Sequence, residues 1–214
     1  EFRRVLFRSD LWQLDALRGI ALDGADLVVG ARSTWSELRR SPLVRDRLPA
    51  LAEVASLVGA AQIQNRGTIG GNIVTASPAG DSLPVLLAAD ARMEVGSVRG
   101  ERTIPAAAFW PAYRQTALAP DELLLRVRIP GIVGREVRIH KVGTRRAQAI
   151  AKVSVALGWR VAPDGRWTEV QVALGSVAPT PIRVGEAERI LEGSRPDAGV
   201  ASDAAAALAA AIAP

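Results

Sequence analysis

"RGTIGGNIVTASPAGDS", residues Arg66 to Ser82, sets a glycine pair, Gly70 and Gly71, beside Asn72, Thr75 and Asp81 between two apolar stretches. Glycine lacks a Cβ, so its backbone N–H can approach a partner closely, and the polar side chains supply hydrogen bonds around it. Such a segment suits a bound phosphate ester, and it equally suits a tight turn.

Composition narrows the choice. The 214 residues are 49% hydrophobic, enough for a substantial core and for one large or two small domains. The longest uninterrupted apolar run, Ala204 to Ala213, is far short of the ~20 residues a membrane span requires, so no spanning helix is expected. The chain has no cysteine and a single histidine, His140. Thiolate clusters, structural zinc and iron-sulfur centres built from this chain alone are thereby excluded, and a Ser-His-Asp or Cys-His machine is disfavoured. His140 reads as an ordinary strand residue, and chemistry on this chain calls for an organic cofactor. The formal charge of +5 raises nucleic acid as a partner. Lys141 and Lys152 are the only lysines, and the arginines are scattered among the acids with no basic block, so no nucleic acid is expected.

The opening "EFRRVLFRS", residues 1–9, does not lead into the pattern that follows. It resembles translated sequencing-adapter DNA and is set aside from the fold. From there strand and helix signals alternate. Asp26 to Ala31 reads as a buried strand. Thr34 and Glu37 have capping-box spacing for a helix running to about Pro42. Pro49 opens a second helix, with Leu51, Val54, Leu57 and Val58 at helical spacing and an end near Gly59. Asp81 is placed to cap a helix over "SLPVLLAADA". "RMEVGSVRGERTIP" reads as a hairpin turning at Arg99 and Gly100. Strands "ELLLRVRIP" and "REVRIHKV" flank Gly131 to Gly134, which marks a domain boundary between 10–133 and 134–214. A Pro163–Gly165 turn then joins two strands, and two helices close the chain, the first stopped by Gly193. These elements predict an α+β fold.

The segments "QNRGTIGGNIVTASPAGDSLPVLLAADARMEV", "FWPAYRQTALAPDELLLRVRIP" and "KVGTRRAQAIAKVSVAL" resemble, in order, the FAD-binding medium subunit of molybdenum hydroxylases, the group of xanthine dehydrogenase and carbon monoxide dehydrogenase. The resemblance implies the second subdomain of a vanillyl-alcohol-oxidase (PCMH) type FAD-binding domain, then a smaller α+β C-terminal flavoprotein domain. It implies a cytoplasmic electron-transfer oxidoreductase with three chains. A molybdenum-binding large subunit oxidises and selects the substrate, an iron-sulfur small subunit relays electrons, and this chain passes them through FAD to NAD or another acceptor. Molybdopterin and the clusters sit in the partner chains.

Position by position, the resemblance puts Thr68, Ile69, Gly70, Gly71 and Asn72 at the FAD pyrophosphate, held by backbone N–H groups. It puts Thr75 and Asp81 at the phosphate and sugar chain, Leu124 at an apolar wall of the flavin, and Lys141 beside the ring. Taken singly, each also has a structural reading: a turn for the glycines, a helix cap for Asp81, core for Leu124, a solvated strand end for Lys141. Arg145 and Arg146 are compatible with gating the flavin, binding a partner or facing water. The family's second glycine-rich loop, of the "GGT" or "GNT" kind, does not occur before Leu27. The chain therefore reads as truncated at both ends, with weak FAD binding or none on its own, and a cofactor-free scaffold of the same fold is the competing reading.

Overall fold

The computed structural model describes residues 10–145 and 148–212; residues 1–9 and Arg146, discussed above, lie outside it. A 3₁₀ turn (Asp15–Leu17) leads into β1 (Ile20–Asp23) and β2 (Asp26–Gly30). A helical stretch follows: α1 (Trp35–Arg40), α2 (Pro42–Arg47), α3 (Pro49–Leu57), α4 (Ala61–Arg66), α5 (Ile69–Thr75) and α6 (Ser82–Ala88). Then come β3 (Arg92–Ser97), β4 (Gly100–Pro105), α7 (Ala106–Phe109), β5 (Leu123–Ile129), β6 (Glu136–Gly143), β7 (Ala151–Val161), β8 (Trp167–Gly175), β9 (Ile182–Arg183), α8 (Gly185–Leu191) and α9 (Ala198–Ala211).

Among the described residues, one antiparallel sheet has the order β1-β2-β5-β3-β4, and a second has the order β6-β7-β8-β9. Side chains alternate across a sheet with period two, and the two faces of the first sheet divide accordingly. Leu27, Val29, Val127, Ile129 and Met93 are buried in the core. On the other face Glu94 takes hydrogen bonds from Arg126 and Arg128, and Arg128 reaches Asp23 and Asp26 at 2.8 and 3.2 Å. Burial pushes the Glu94 carboxyl up, but the two guanidinium groups more than offset this and hold it below the ordinary carboxylate range.

The helix signals act as the sequence predicts at two starts, Thr34 and Pro49, while a further helix opens at Pro42, where the first was expected to end. Thr34 Oγ1 accepts from the Glu37 N–H at 3.3 Å while Glu37 Oε2 accepts from the Thr34 N–H at 2.8 Å, a complete capping box. Ser41 caps α2, and Pro49 opens α3, which is stopped near Gly59 at φ +56°. The β3–β4 turn falls one residue earlier than expected, at Val98–Arg99, because Ser97 pairs with Gly100. A larger departure concerns the stretch Arg66–Ser82, read as a glycine loop or tight turn, which winds into helix α5. Ile69 and Ile73, one helical turn apart, are fully buried, and that burial winds the segment.

Helix α6 joins the two halves. Every residue from Ser82 to Ala88 is buried, and the helix contacts β6, β7, β8 and β9 while sharing the core of the first sheet. On β7 and β8 the positions facing it are small: Ala156 and Gly158, Ala173 and Gly175. A Cβ on Gly158 would sit 2.0 Å from the Ala88 carbonyl oxygen, and one on Gly175 would sit 2.6 Å from the Pro84 ring. Arg135, itself buried, donates to the Ala88 carbonyl at 3.2 Å and so meets the negative end of the helix. The alternate residues Val170, Val172 and Leu174 face the opposite way, into a separate cluster with α8 and α9.

The segment between α7 and β5 is tied down by Glu122. Its carboxylate takes Arg102 Nε at 2.7 Å and Nη2 at 2.8 Å, and the Ala119 N–H at 2.7 Å. These bonds hold the Glu122 pKa down at about 2. A folded-state value below the ordinary 4.5 means the stabilisation is complete above 4.5 and is lost as pH falls through about 2. A ¹³C carboxyl titration should place the Glu122 midpoint near 2, and Arg102→Gln should move it back toward 4.5. Gly158→Ala should cost about 3 kcal/mol in denaturant unfolding through overpacking. Gly185→Ala, where an added Cβ meets nothing within 4 Å, should change stability by no more than about 0.5 kcal/mol.

Candidate functional site

The quoted stretch begins against β2 and ends at α6. Thr68 forms an isolated antiparallel bridge with Thr34 and caps α5, its Oγ1 accepting from the Gly71 N–H at 3.0 Å. The Ile69 N–H donates to the Ser33 carbonyl at 3.0 Å, the Gly70 N–H to Ala31 at 2.8 Å, and the Asn72 N–H to Thr68 at 3.1 Å. The N–H groups of residues 69 to 72 are therefore all engaged within the chain, contrary to the expectation that they lie bare for a diphosphate. The cause is the helical winding of the segment onto the end of β2. Gly70 serves that contact: a Cβ there would lie 2.6 Å from the Ala31 carbonyl oxygen. Gly71 is exposed, and a Cβ on it would meet only Thr68 Oγ1, at 3.1 Å.

Thr68, Gly70 and Gly71 line a cleft of about 440 Å³ together with Leu124. Its surface is largely apolar, with Leu17, Val74, Leu118 and Leu123 on the walls. Arg32 and Arg66 flank the Thr68 end. Asp10 and Glu122 also line the cleft, Glu122 being neutralised by Arg102. Thr68 Oγ1 accepts one bond and keeps its own proton to donate. Leu124 is buried at 6% exposure, with an edge in this cleft.

The remaining sequence-predicted residues gather elsewhere. Ile69 is in the core. Thr75 is exposed and its hydroxyl donates to the Gly71 carbonyl at 2.6 Å, within the helix. Asn72 Oδ1 accepts from Ser82 Oγ at 2.7 Å, which links α5 to α6. Asp81 precedes α6 but does not cap it. Its own backbone is helical, at φ −60° and ψ −28°, and its carboxylate turns instead to Lys141 Nζ at 2.7 Å. Asp81 and Lys141 side chains are only 11% and 10% exposed, so Lys141 is no solvated strand end. Burial raises the Asp81 carboxyl above its ordinary range despite the bond and charge of Lys141. Asp81 Oδ1 is buried with no partner among the described residues. Lys141 also lines a hollow of about 570 Å³ with His140, Gly143, Thr144 and Glu53.

An apolar wall and a hydroxyl proton with no acceptor among the described residues stand in the cleft, whereas the orphaned Asp81 acceptor and the buried Lys141 cation stand outside its lining. Sequence reasoning missed Arg32 and Trp12. Arg32 is a lone charge in the "VVGARST" run, and no spacing rule signals that it turns into a cleft.

Residues 9–132 match the FAD binding domain in molybdopterin dehydrogenase, and residues 138–214 match the CO dehydrogenase flavoprotein C-terminal domain. The chain is 32% identical over 174 residues to the carbon monoxide dehydrogenase medium chain of Hydrogenophaga pseudoflava, covering 81% of this chain and 60% of that one. It is 34% identical over 183 residues to the xanthine dehydrogenase FAD-binding subunit of Escherichia coli O157:H7, covering 84% and 62%. The chain thus spans about three fifths of the length of these relatives. A solved carbon monoxide dehydrogenase from Hydrogenophaga pseudoflava superposes with a TM-score of 0.87 at 33% identity, covering 93% of this chain and 69% of that one. The α+β fold is that of a flavoprotein FAD-binding domain followed by a smaller C-terminal domain. With a model matched over more than half its length, the chain belongs to the FAD-binding family of the molybdopterin dehydrogenases.

Proposed function

We propose that this chain is the FAD-binding part of an electron-transfer subunit in a cytoplasmic molybdenum hydroxylase. Residues 10–133 form its FAD-binding domain and residues 134–214 its C-terminal domain. Its partners are a molybdenum-binding large subunit and an iron-sulfur small subunit, and its acceptor is NAD or another oxidant. The carrying observation is the cleft of about 440 Å³ in which Thr68 and Gly71 meet the apolar wall ending at Leu124. That volume lies in the range of small-molecule sites, roughly 300–1,000 Å³.

FAD, when bound, supplies a centre that takes up electrons singly and releases them in pairs. The chain's own residues bind and orient. Thr68 donates its hydroxyl proton to a phosphate oxygen, and Leu124 excludes water from the ring's apolar face. Asp81 fixes the Lys141 ammonium by the 2.7 Å bond and offers Oδ1 to a hydroxyl of the sugar chain. Lys141 places positive charge where reduction leaves negative charge. Gly71 keeps the cleft mouth clear. The cofactor-free scaffold reading draws on a different observation, the internal engagement of the N–H groups of residues 69 to 72.

Titration of FAD with the chain, fused to the amino-terminal unit of a related subunit, separates the two. Flavin fluorescence should quench on the folded fusion, and Leu124→Ala should weaken binding by about tenfold, the equivalent of about 1.4 kcal/mol. No quenching by a folded fusion would establish the scaffold reading. With flavin bound, Lys141→Met should lower the reduction potential and Asp81→Asn should raise it. Each shift should be about 30 mV, equivalent to about 1.4 kcal/mol for a two-electron couple.

A further inference from the structure

We infer that Arg135 and Arg160, bridged by Glu169, are positioning residues that clasp the join between the two halves and thereby hold Lys141 against Asp81. The clasp stands on contacts within the chain, and its consequence for a flavin rests on the reading that Lys141 lies beside the ring.

The join is the segment between β5 and β6. Its near side is tied to the first sheet, with the Gly131 N–H on Asp26 Oδ1 at 2.8 Å and the Ile132 N–H on the Ala25 carbonyl at 3.1 Å. Its far side is held by Arg160, a residue of β7 in the second sheet. Arg160 donates Nη1 to the Val133 carbonyl at 2.8 Å, Nη2 to the Gly131 carbonyl, and Nε to Glu169 Oε2 at 3.0 Å. Every nitrogen of that guanidinium is thus engaged with the join or with the residue that backs it. Arg135, the last residue before β6, is buried and approaches the same carboxylate oxygen, with Nη1 at 3.4 Å. Its Nη2 donates to the Glu169 and Ala88 carbonyls, each at 3.2 Å. Burial disfavours the Arg135 charge, Glu169 and Asp90 favour it, and Arg160 and Arg183 oppose it. Glu169 is therefore the counter-ion that lets two guanidinium groups meet.

Glu169 reaches them through an uncommon backbone. Its φ is +51°, a left-handed value that a non-glycine residue rarely adopts. The pairing of β7 with β8 slips here: Glu169 and Val170 stand opposite Trp159 alone, between the pairs Gly158–Gln171 and Arg160–Thr168. The N–H groups of Glu169 and Val170 are taken by Glu192 Oε1 and Oε2, at 3.1 and 2.8 Å. A bulge re-aims side chains, and this one turns Glu169 to Arg160 and Arg135. The effect at a distance runs along β6. Arg135, Val137, Ile139 and Lys141 alternate onto one side of the strand, and Val137 and Ile139 pack into the core that α6 shares. The cations at the two ends of that row meet the two ends of α6, Arg135 at the Ala88 carbonyl and Lys141 at Asp81 Oδ2, 2.7 Å away. A slide or tilt of β6 at the clasp would therefore carry Lys141 off Asp81.

The test uses the 214-residue chain, whose only lysines are Lys141 and Lys152. Acetylation of both is followed by mass spectrometry, with the exposed Lys152 as the reference. Lys141 should be protected in the wild type, because its side chain is buried and bonded to Asp81. Arg160→Gln should make Lys141 react about tenfold faster relative to Lys152, as expected for loss of charge-assisted bonds. Glu169→Asn removes the counter-ion yet keeps a residue that tolerates left-handed backbone, and it should do the same. Arg189→Gln, which removes an ion pair of α8 on the opposite face of the second sheet, should leave Lys141 protected. In the flavin-loaded fusion, Arg160→Gln should lower the reduction potential as Lys141→Met does. The clasp is overturned if wild-type Lys141 reacts as fast as Lys152, or if folded Arg160→Gln and Glu169→Asn proteins protect it as wild type does. It is equally overturned if Arg189→Gln unmasks Lys141 as much, or if the potential falls with Lys141→Met and not with Arg160→Gln. A fusion that takes up FAD while any of these results holds leaves the flavin reading standing. Clasp-dependent protection of Lys141, with a fusion that never takes up FAD, upholds the clasp and removes the flavin reading.

Discussion

The contact between α6 and the glycine positions of β7 and β8 is the constraint on which the two halves depend. The Ala88 carbonyl lies where a Cβ on Gly158 would be, 2.0 Å away, so the helix backbone rests on the strand backbone with no side chain between. Close packing of this kind transmits position, because nothing compressible separates the elements. It brings Asp81, at the start of α6, to Lys141 on β6, 60 residues further along the chain. The Ser82 hydroxyl bonded to Asn72 ties α5, at the cleft, to the end of α6 where the ion pair stands.

Charge is handled in two different ways in this arginine-rich chain. On the outer face of the first sheet, Arg126 and Arg128 are matched by Glu94, Glu101, Asp23 and Asp26. Glu94 is buried beneath the two guanidinium groups, whereas the pairs with Glu101 and Asp23 have solvent-exposed carboxylates and contribute little individually. At the cleft, by contrast, Arg32 is buried with donors left open, and Asp81 is buried with an acceptor left open. Such groups are uncommon in folded chains; Arg32 lines the apolar cleft, and Asp81 lies against the buried Lys141 ammonium.

Local signals were legible in the sequence wherever a backbone end needs a side chain. The Thr34–Glu37 box, Pro49 and Gly59 each act within four residues of where they stand. The ordered occurrence of "TIGGN", "DELLL" and "KVGTRR" likewise carried the family resemblance and the α+β class. The same reading misjudged the glycine stretch itself. Gly70 and Gly71 look alike in sequence, yet one lets a helix meet Ala31 and the other keeps a cleft mouth clear.

What the sequence determined by itself was therefore where helices begin, which faces of strands are apolar, and that cysteine-based metal chemistry has no place in this chain. Tertiary structure alone decided that Asp81 pairs with Lys141 instead of capping α6, and that Arg32 turns into the cleft. It also decided that the N–H groups of residues 69 to 72 are already engaged. The physical reason is range. Caps and periodicities are settled between neighbours along the chain, whereas the partner of a buried charge is settled by which distant backbone can approach, and here glycine on a strand sets that approach.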